Sequence, residues 1–199
     1  MSKKEYPDFD AIIAKLNLIF PSRNDVLASY QESVDSENPK WGKTLNLVSE
    51  LATLQATRNP FYLTISDLEK IRSWKLRGQI GRARKFYAQN TEDNIQTITR
   101  AAFNVKHDDF EHETSLRLKL LTAIAGVEIP VASAILTLCY PEKYAIIDRR
   151  NWKRLIDSDE DKTSYTVSQY LFYLRIIQQA AVSYNVTTQK LDIAIWALG

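Results

Sequence analysis

Cysteine, histidine, glycine and proline are all scarce in this 199-residue chain. The single cysteine, Cys139, excludes a disulfide framework, a zinc ribbon and a cysteine-ligated iron–sulfur cluster. Two histidines, His107 and His112, leave no material for a histidine-rich metal site, so neither a metal nor a cofactor is expected. Five glycines and six prolines are too few to punctuate the turns of a sheet-rich fold of this length. No run of 18 apolar residues occurs, so no transmembrane helix and no membrane partner are expected. The leading MSKKEYPDFD has no apolar stretch of the signal-peptide kind, and the expected location is cytoplasmic.

What the chain does contain excludes wholesale disorder: 45% of it is hydrophobic and 25% charged. The net charge of +2 is unevenly spread. Residues 72–106 hold Arg72, Lys75, Arg77, Arg82, Arg84, Lys85, Arg100 and Lys106 against only Glu92 and Asp93, while the rest of the chain is net acidic. Such a segment is either a nucleic-acid footprint or a solvated helical face.

Apolar spacing predicts helices over 9–19 and from Ser22 to about 33, then one with Leu47, Val48, Leu51 and Leu54 on a single face, ending before Asn59-Pro60. The Ser66–Glu69 capping-box pattern opens a helix toward Leu76, and GRARKFYA forms a short basic helix. Thr91 caps a helix to about Phe103. Others cover about 113–124, 130–139, RRNWKRLI capped by Asp148, a long stripe from Val167 to Ala181, and about 189–198. ESVDSENPKWG reads as a linker, YPEKYAII as a loop and DSDED (157–161) as an exposed acidic loop. The fold class is all-α, with nine to eleven helices.

LLTAIAGVEIPVASAIL (120–136) carries the most information. Two helices meet at a hairpin in which Gly126 permits positive φ and Ala132 allows close approach. The N–H groups of the hairpin and of the second helix's start can bind a phosphate. The segment resembles the helix-hairpin-helix motif. LVSELATLQAT (47–57), GQIGRARKF (78–86) and AIIDRRNW (145–152) are similar, in the same order, to blocks of DNA glycosylases of the endonuclease III and adenine glycosylase type.

That resemblance implies a two-lobed helical architecture, with a central lobe over 42–144 carrying the hairpin at 116–139 and a second lobe formed by 1–41 with 145–199. It implies a double-stranded DNA partner lying across the mouth of the cleft and a nucleotide flipped out of the stack. Asp148 becomes the catalytic carboxylate, stabilising positive charge on the sugar as the base leaves and orienting water. Gln55 becomes the residue that fills the vacated space in the duplex. Gly126, Val127 and Glu128 form the phosphate turn, and Arg82, Arg84 and Lys85 contact backbone phosphates. Core packing is the default for Trp41, Trp74, Trp152 and Trp196; Trp152, one turn beyond Asp148, is the pocket candidate.

The chain departs from the family twice. Pro130 occupies the lysine-nucleophile position and supplies no amine, so lyase chemistry through that position is excluded. Lys143, in the loop before Asp148, is the only substitute the sequence offers. Glu128 replaces a glycine and sets a carboxylate where a phosphate would dock. Three readings stand: a monofunctional DNA N-glycosylase acting on a damaged or modified base, a non-catalytic DNA-binding module, and a helical interaction protein.

Overall fold

The computed structural model describes residues 7–156, 162 and 164–198, with only the backbone of Trp41, Ile80, Arg82 and Ala83. The predicted loop at 157–161 lies outside the described residues. Within them there are eleven α-helices and no strand: α1 (Phe9–Ile19), α2 (Arg23–Asp35), α3 (Thr44–Thr57), α4 (Ile65–Leu76), α5 (Arg84–Tyr87), α6 (Glu92–Asn104), α7 (Phe110–Leu121), α8 (Ile129–Cys139), α9 (Arg149–Ile156), α10 (Val167–Tyr184) and α11 (Thr188–Ala197). Short 3-10 turns cover Pro39–Trp41 and Arg77–Ala83. No helix among the described residues is long and apolar enough to cross a membrane.

Local chemistry sets most helix starts. The Thr91 hydroxyl accepts the Asn94 N–H while the Asn94 side chain accepts the Thr91 N–H, and Thr166 and Gln169 do the same for α10. At α4 the box is Thr64 with Asp67, two residues before the Ser66–Glu69 box expected from sequence. Both patterns fit the rule, but Asp67 is further fixed by Arg58, whose guanidinium lies 2.5 Å from its carboxylate. The expected linker is half helix: Glu32–Asp35 complete α2, and only the following residues turn, ending at Gly42 with φ 90.

Every residue of α8 but Pro130 is buried, as expected of a helix that is apolar all round. Helices α3, α4 and α7 pack against it, and α6 backs α7. The two N-terminal helices cross to the far end of the chain: α2 lies along α11, and α1 touches α9 and α10. The Tyr184 hydroxyl reaches the carbonyls of Leu16 (3.2 Å) and Phe20 (2.8 Å), and Ser29 donates to the Ala194 carbonyl (2.9 Å). The loop 140–148 carries the chain from α8 to α9 through the buried residues Tyr144–Ile147.

Candidate nucleic-acid interface and carboxylate site

Helices α7 and α8 form the hairpin, joined by residues 122–128. Gly126 has φ 78, a conformation that disfavours any side chain. Val127 is buried, and its N–H donates to the Ile124 carbonyl at 3.0 Å, tucking the turn under itself. Among the described residues nothing accepts from the N–H groups of Gly126, Glu128 or Ile129, which cluster at the start of α8. The Glu128 carbonyl begins the helix by accepting from Val131 and Ala132, both at 2.9 Å. Glu128 has φ −100, extended backbone that any residue adopts, so only its exposed charge opposes an anion there.

One residue that carries no motif joins this turn to the basic segment. Asn90 donates to the Ala125 carbonyl (2.9 Å) and accepts the Ala125 N–H (3.0 Å), while also donating to the Tyr87 carbonyl (2.8 Å). α5 is thereby held beside the hairpin with Arg84, Lys85 and Phe86 exposed; Phe86 is 59% accessible. Arg82 lies on the adjoining 3-10 turn, and its side chain is outside the described residues. The rest of the basic segment is not one surface. Arg72 is buried beneath the Tyr87 ring, 3.5 Å from its centroid, and paired with Glu69 at 2.6 Å. Arg100 lies over Tyr62. Part of the charge excess that looked like a footprint holds the fold together.

Asp148 stands at the N-terminus of α9, 18% exposed, with both carboxylate oxygens held. Oδ1 accepts the Asn151 N–H at 3.0 Å, the N-cap bond expected from sequence, and Oδ2 faces the Lys75 ammonium at 3.5 Å. The sequence offered Lys143 as the only substitute for the missing lysine nucleophile and did not signal that Lys75 stands at Asp148. Lys143 is exposed, and its carbonyl accepts from Gln178.

Behind Asp148 lies a wholly buried polar cluster. Asn151 Nδ2 donates to the Tyr173 hydroxyl (3.0 Å), to the Asp192 carbonyl (3.0 Å) and to Asp192 Oδ1 (2.9 Å). Asp192 also accepts from the Tyr173 hydroxyl and from the Ile146 N–H (2.9 Å). Burial pushes the Asp192 carboxyl up to about 7, with the Asp148 charge adding to the rise, while the Tyr173 and Ile146 donors and Lys75 oppose it. Burial likewise drives the Tyr173 hydroxyl well above its ordinary range. This cluster fixes α9 on α11 and so fixes the backbone that holds Asp148.

A cleft of about 170 Å³ opens between the end of α2 with the residues just after it, Gly42, the end of α4 and α11; Glu37, Trp74, Arg77 and Trp196 are among its walls. Arg77 and Arg150 both lie over the Trp196 ring, at 4.7 and 4.8 Å from its centroid. Neither Asp148 nor Gln55 lines this cleft. Gln55 donates its Nε2 to the Cys139 carbonyl at 2.8 Å, closing the C-terminal end of α8 rather than reaching outward. Trp152 is buried against Tyr165 and is core; among the described residues the tryptophans that line the cleft are Trp74 and Trp196. Comparison with protein-family models, with curated proteins and with solved structures yields no match.

Proposed function

We propose that the protein is a monofunctional DNA N-glycosylase, hydrolysing the N-glycosidic bond of a damaged or modified base on a two-lobed helix-hairpin-helix scaffold. The observation that carries this reading is Asp148: a half-buried carboxylate with each oxygen held by a separate donor. Departure of a base builds positive charge on the deoxyribose, and a carboxylate already held in place stabilises that charge without reorganising. Two features support DNA as the partner. The unpaired N–H groups at the start of α8 suit a phosphate, and α5 sets Arg84 and Lys85 beside them. Incubation with duplexes carrying uracil, alkylated, oxidised or mismatched bases, read as abasic-site formation, tests the reaction. If no duplex loses a base, the activity is absent.

A second reading is a DNA-binding module without catalysis. Lys75 favours it, because its ammonium offsets the Asp148 charge that the reaction would use. Both readings expect Arg84→Ala and Lys85→Ala to weaken binding alike on all sequences. Each change should also flatten the log–log salt slope by about 0.9. Binding titrations between low and moderate salt check this, and an unchanged slope would make α5 an ordinary solvated surface.

Base release should leave an unbroken strand. Pro130 supplies no amine, and the Lys75 amine is engaged by the Asp148 carboxylate at 3.5 Å. Borohydride should therefore trap no covalent complex. A complex that disappears in Lys75→Ala would instead assign the nucleophile to α4.

A further inference from the structure

The cleft between α2, α4 and α11 carries one charge of each sign. Among the described residues that line it, Glu37 and Arg77 are the ionised ones, so the lining is neutral as a whole. Its size is modest. Liquid water occupies roughly 30 Å³ per molecule, so about 170 Å³ holds roughly six waters, or a ligand of about as many non-hydrogen atoms. Pockets for larger organic ligands begin at about 300 Å³. The walls come from α2 and the residues just after it, from the end of α4 and from α11, so a bound molecule ties both ends of the chain to α4.

Glu37 is a preset acceptor. Its Oε1 accepts from the Thr44 hydroxyl and from Trp74 Nε1 (3.3 Å), and Oε2 accepts the Thr44 N–H (2.8 Å). A carboxylate offers about four acceptor positions, so one remains, on Oε2. These donors fix its orientation before any ligand arrives. Asn38 and Arg77 present donors instead. Asn38 Oδ1 is taken by the Lys40 N–H at 2.9 Å, which leaves its NH2 group to donate. The Arg77 guanidinium lies 4.7 Å from the Trp196 ring centroid, and among the described residues no oxygen accepts from it. Arg77 holds φ 49 and ψ −124, a backbone conformation that side chains disfavour. Strain of this kind persists where surrounding contacts enforce it, and it clusters at ligand clamps.

A lone cation gains from Glu37 and is opposed by Arg77, and a lone anion meets the reverse. A ligand with both charges on a short frame satisfies both. We propose that this cleft binds a free small amino acid as its zwitterion, the ammonium donating to Glu37 and the carboxylate accepting from Arg77 and Asn38. A planar guanidinium presents paired N–H donors that match a carboxylate. The apolar part of the ligand rests on Trp74 and Trp196. The room limits its side chain to about the size of that of alanine or serine. Asp148 does not line the cleft, which takes its ligand whether or not the protein releases bases from DNA.

The probe is L-alanine titrated into the full chain, with the indole N–H resonances of Trp74 and Trp196 as the readout. Both signals should move saturably through the millimolar range while that of the buried Trp152 stays still. L-Alaninamide lacks the carboxylate and N-acetyl-L-alanine lacks the ammonium. Each should bind at least about tenfold more weakly, the loss of one charged hydrogen bond. L-Phenylalanine, too large for the cleft, should move neither signal. Glu37→Gln should remove the advantage of alanine over N-acetylalanine. Arg77→Gln should remove its advantage over alaninamide, and it leaves the Thr44 and Trp74 contacts of Glu37 intact, so the test survives a Glu37 variant that fails to fold. No shift with alanine, or analogues of single charge that bind as well as alanine, overturns the proposal; so does phenylalanine binding as tightly as alanine. Selective alanine binding in a protein that releases no base from any duplex leaves the cleft assignment standing and removes the glycosylase reading. Base release with silent Trp74 and Trp196 signals does the reverse.

Discussion

Asp148→Asn should lower single-turnover base release from a reactive duplex by about 10²–10³-fold, the usual loss when one preorganised electrostatic group is removed. The substitution is nearly neutral for the fold. The asparagine oxygen can still accept the Asn151 N–H, and Asn is as good an N-cap as Asp. What disappears is the negative charge, and with it the attraction to Lys75. The remaining amide cannot stabilise positive charge on a sugar or take a proton from water. Thermal melting should therefore change little while the rate collapses. DNA affinity measured on an inert duplex should also hold, because the partners that hold the Asp148 carboxylate are Asn151 and Lys75, neither of which belongs to the hairpin turn or α5. A folded variant with undiminished rate would remove Asp148 from the chemistry and favour the DNA-binding module.

The helical framework was legible because its signals are local. Scarce glycine and proline, apolar stripes at helical spacing and Thr91 as a cap each act within a few residues, and most helices fall near where those signals place them; α7 begins earlier than expected, at Phe110 behind the Asp109 cap, and only Arg84–Tyr87 of GRARKFYA is α-helical. The hairpin was legible for the same reason: Gly126 takes φ 78 and Ala132 is fully buried against its neighbours. The α4 cap was misplaced because two overlapping patterns satisfy one rule, and a contact from Arg58 distinguishes them.

Most of the site was not legible, because it is assembled across long separations. Nothing in the spacing of Lys75 and Asp148, of Asn151 and Asp192, or of Arg77 and Trp196 signals that these residues meet. Charge was misleading in a different way. Arg72 counts as surface charge in a sequence, yet its guanidinium stacks on Tyr87 and its stem fills core volume. Gln55 matched a block and so drew a role at the duplex, whereas its amide closes the end of α8. A motif specifies residue type and order; it does not specify which hydrogen-bond partner a side chain finds in the fold.

Stability should fall as pH rises from about 5 to 8, and the carboxyl responsible is Asp192. Burial raises it to about 7, against about 3.9 in an unfolded chain. Between those values the folded protein holds a proton that the unfolded chain has released. Folding is therefore favoured most near the acid end of this window and weakens as pH climbs through it. From pH 5 to 7 the change amounts to roughly 2 kcal/mol, with a few tenths more above that, equivalent to ~4–8 °C in Tm for a chain of this size. Asp67 and Asp109 act with the opposite sign but elsewhere. Their carboxyls are held below the usual carboxylate range, Asp67 by Arg58 and Thr64 against the cost of its burial, Asp109 by the His112 and Glu111 N–H groups, so their contributions are lost only as pH falls below about 4. Asp192→Asn mimics the protonated side chain and should flatten the pH 5–8 profile. Asp192→Ala should instead cost about 3 kcal/mol or more even at pH 5, because the Tyr173 hydroxyl, the Asn151 amide and the Ile146 N–H would all lose a buried partner. Because Asn151 also carries the N–H that holds Asp148, the alanine variant should lose base release along with stability. Urea unfolding of the three proteins at pH 5, 6, 7 and 8 decides the matter. A slope that survives in Asp192→Asn would belong to some other group and would leave the buried cluster a passive part of the core.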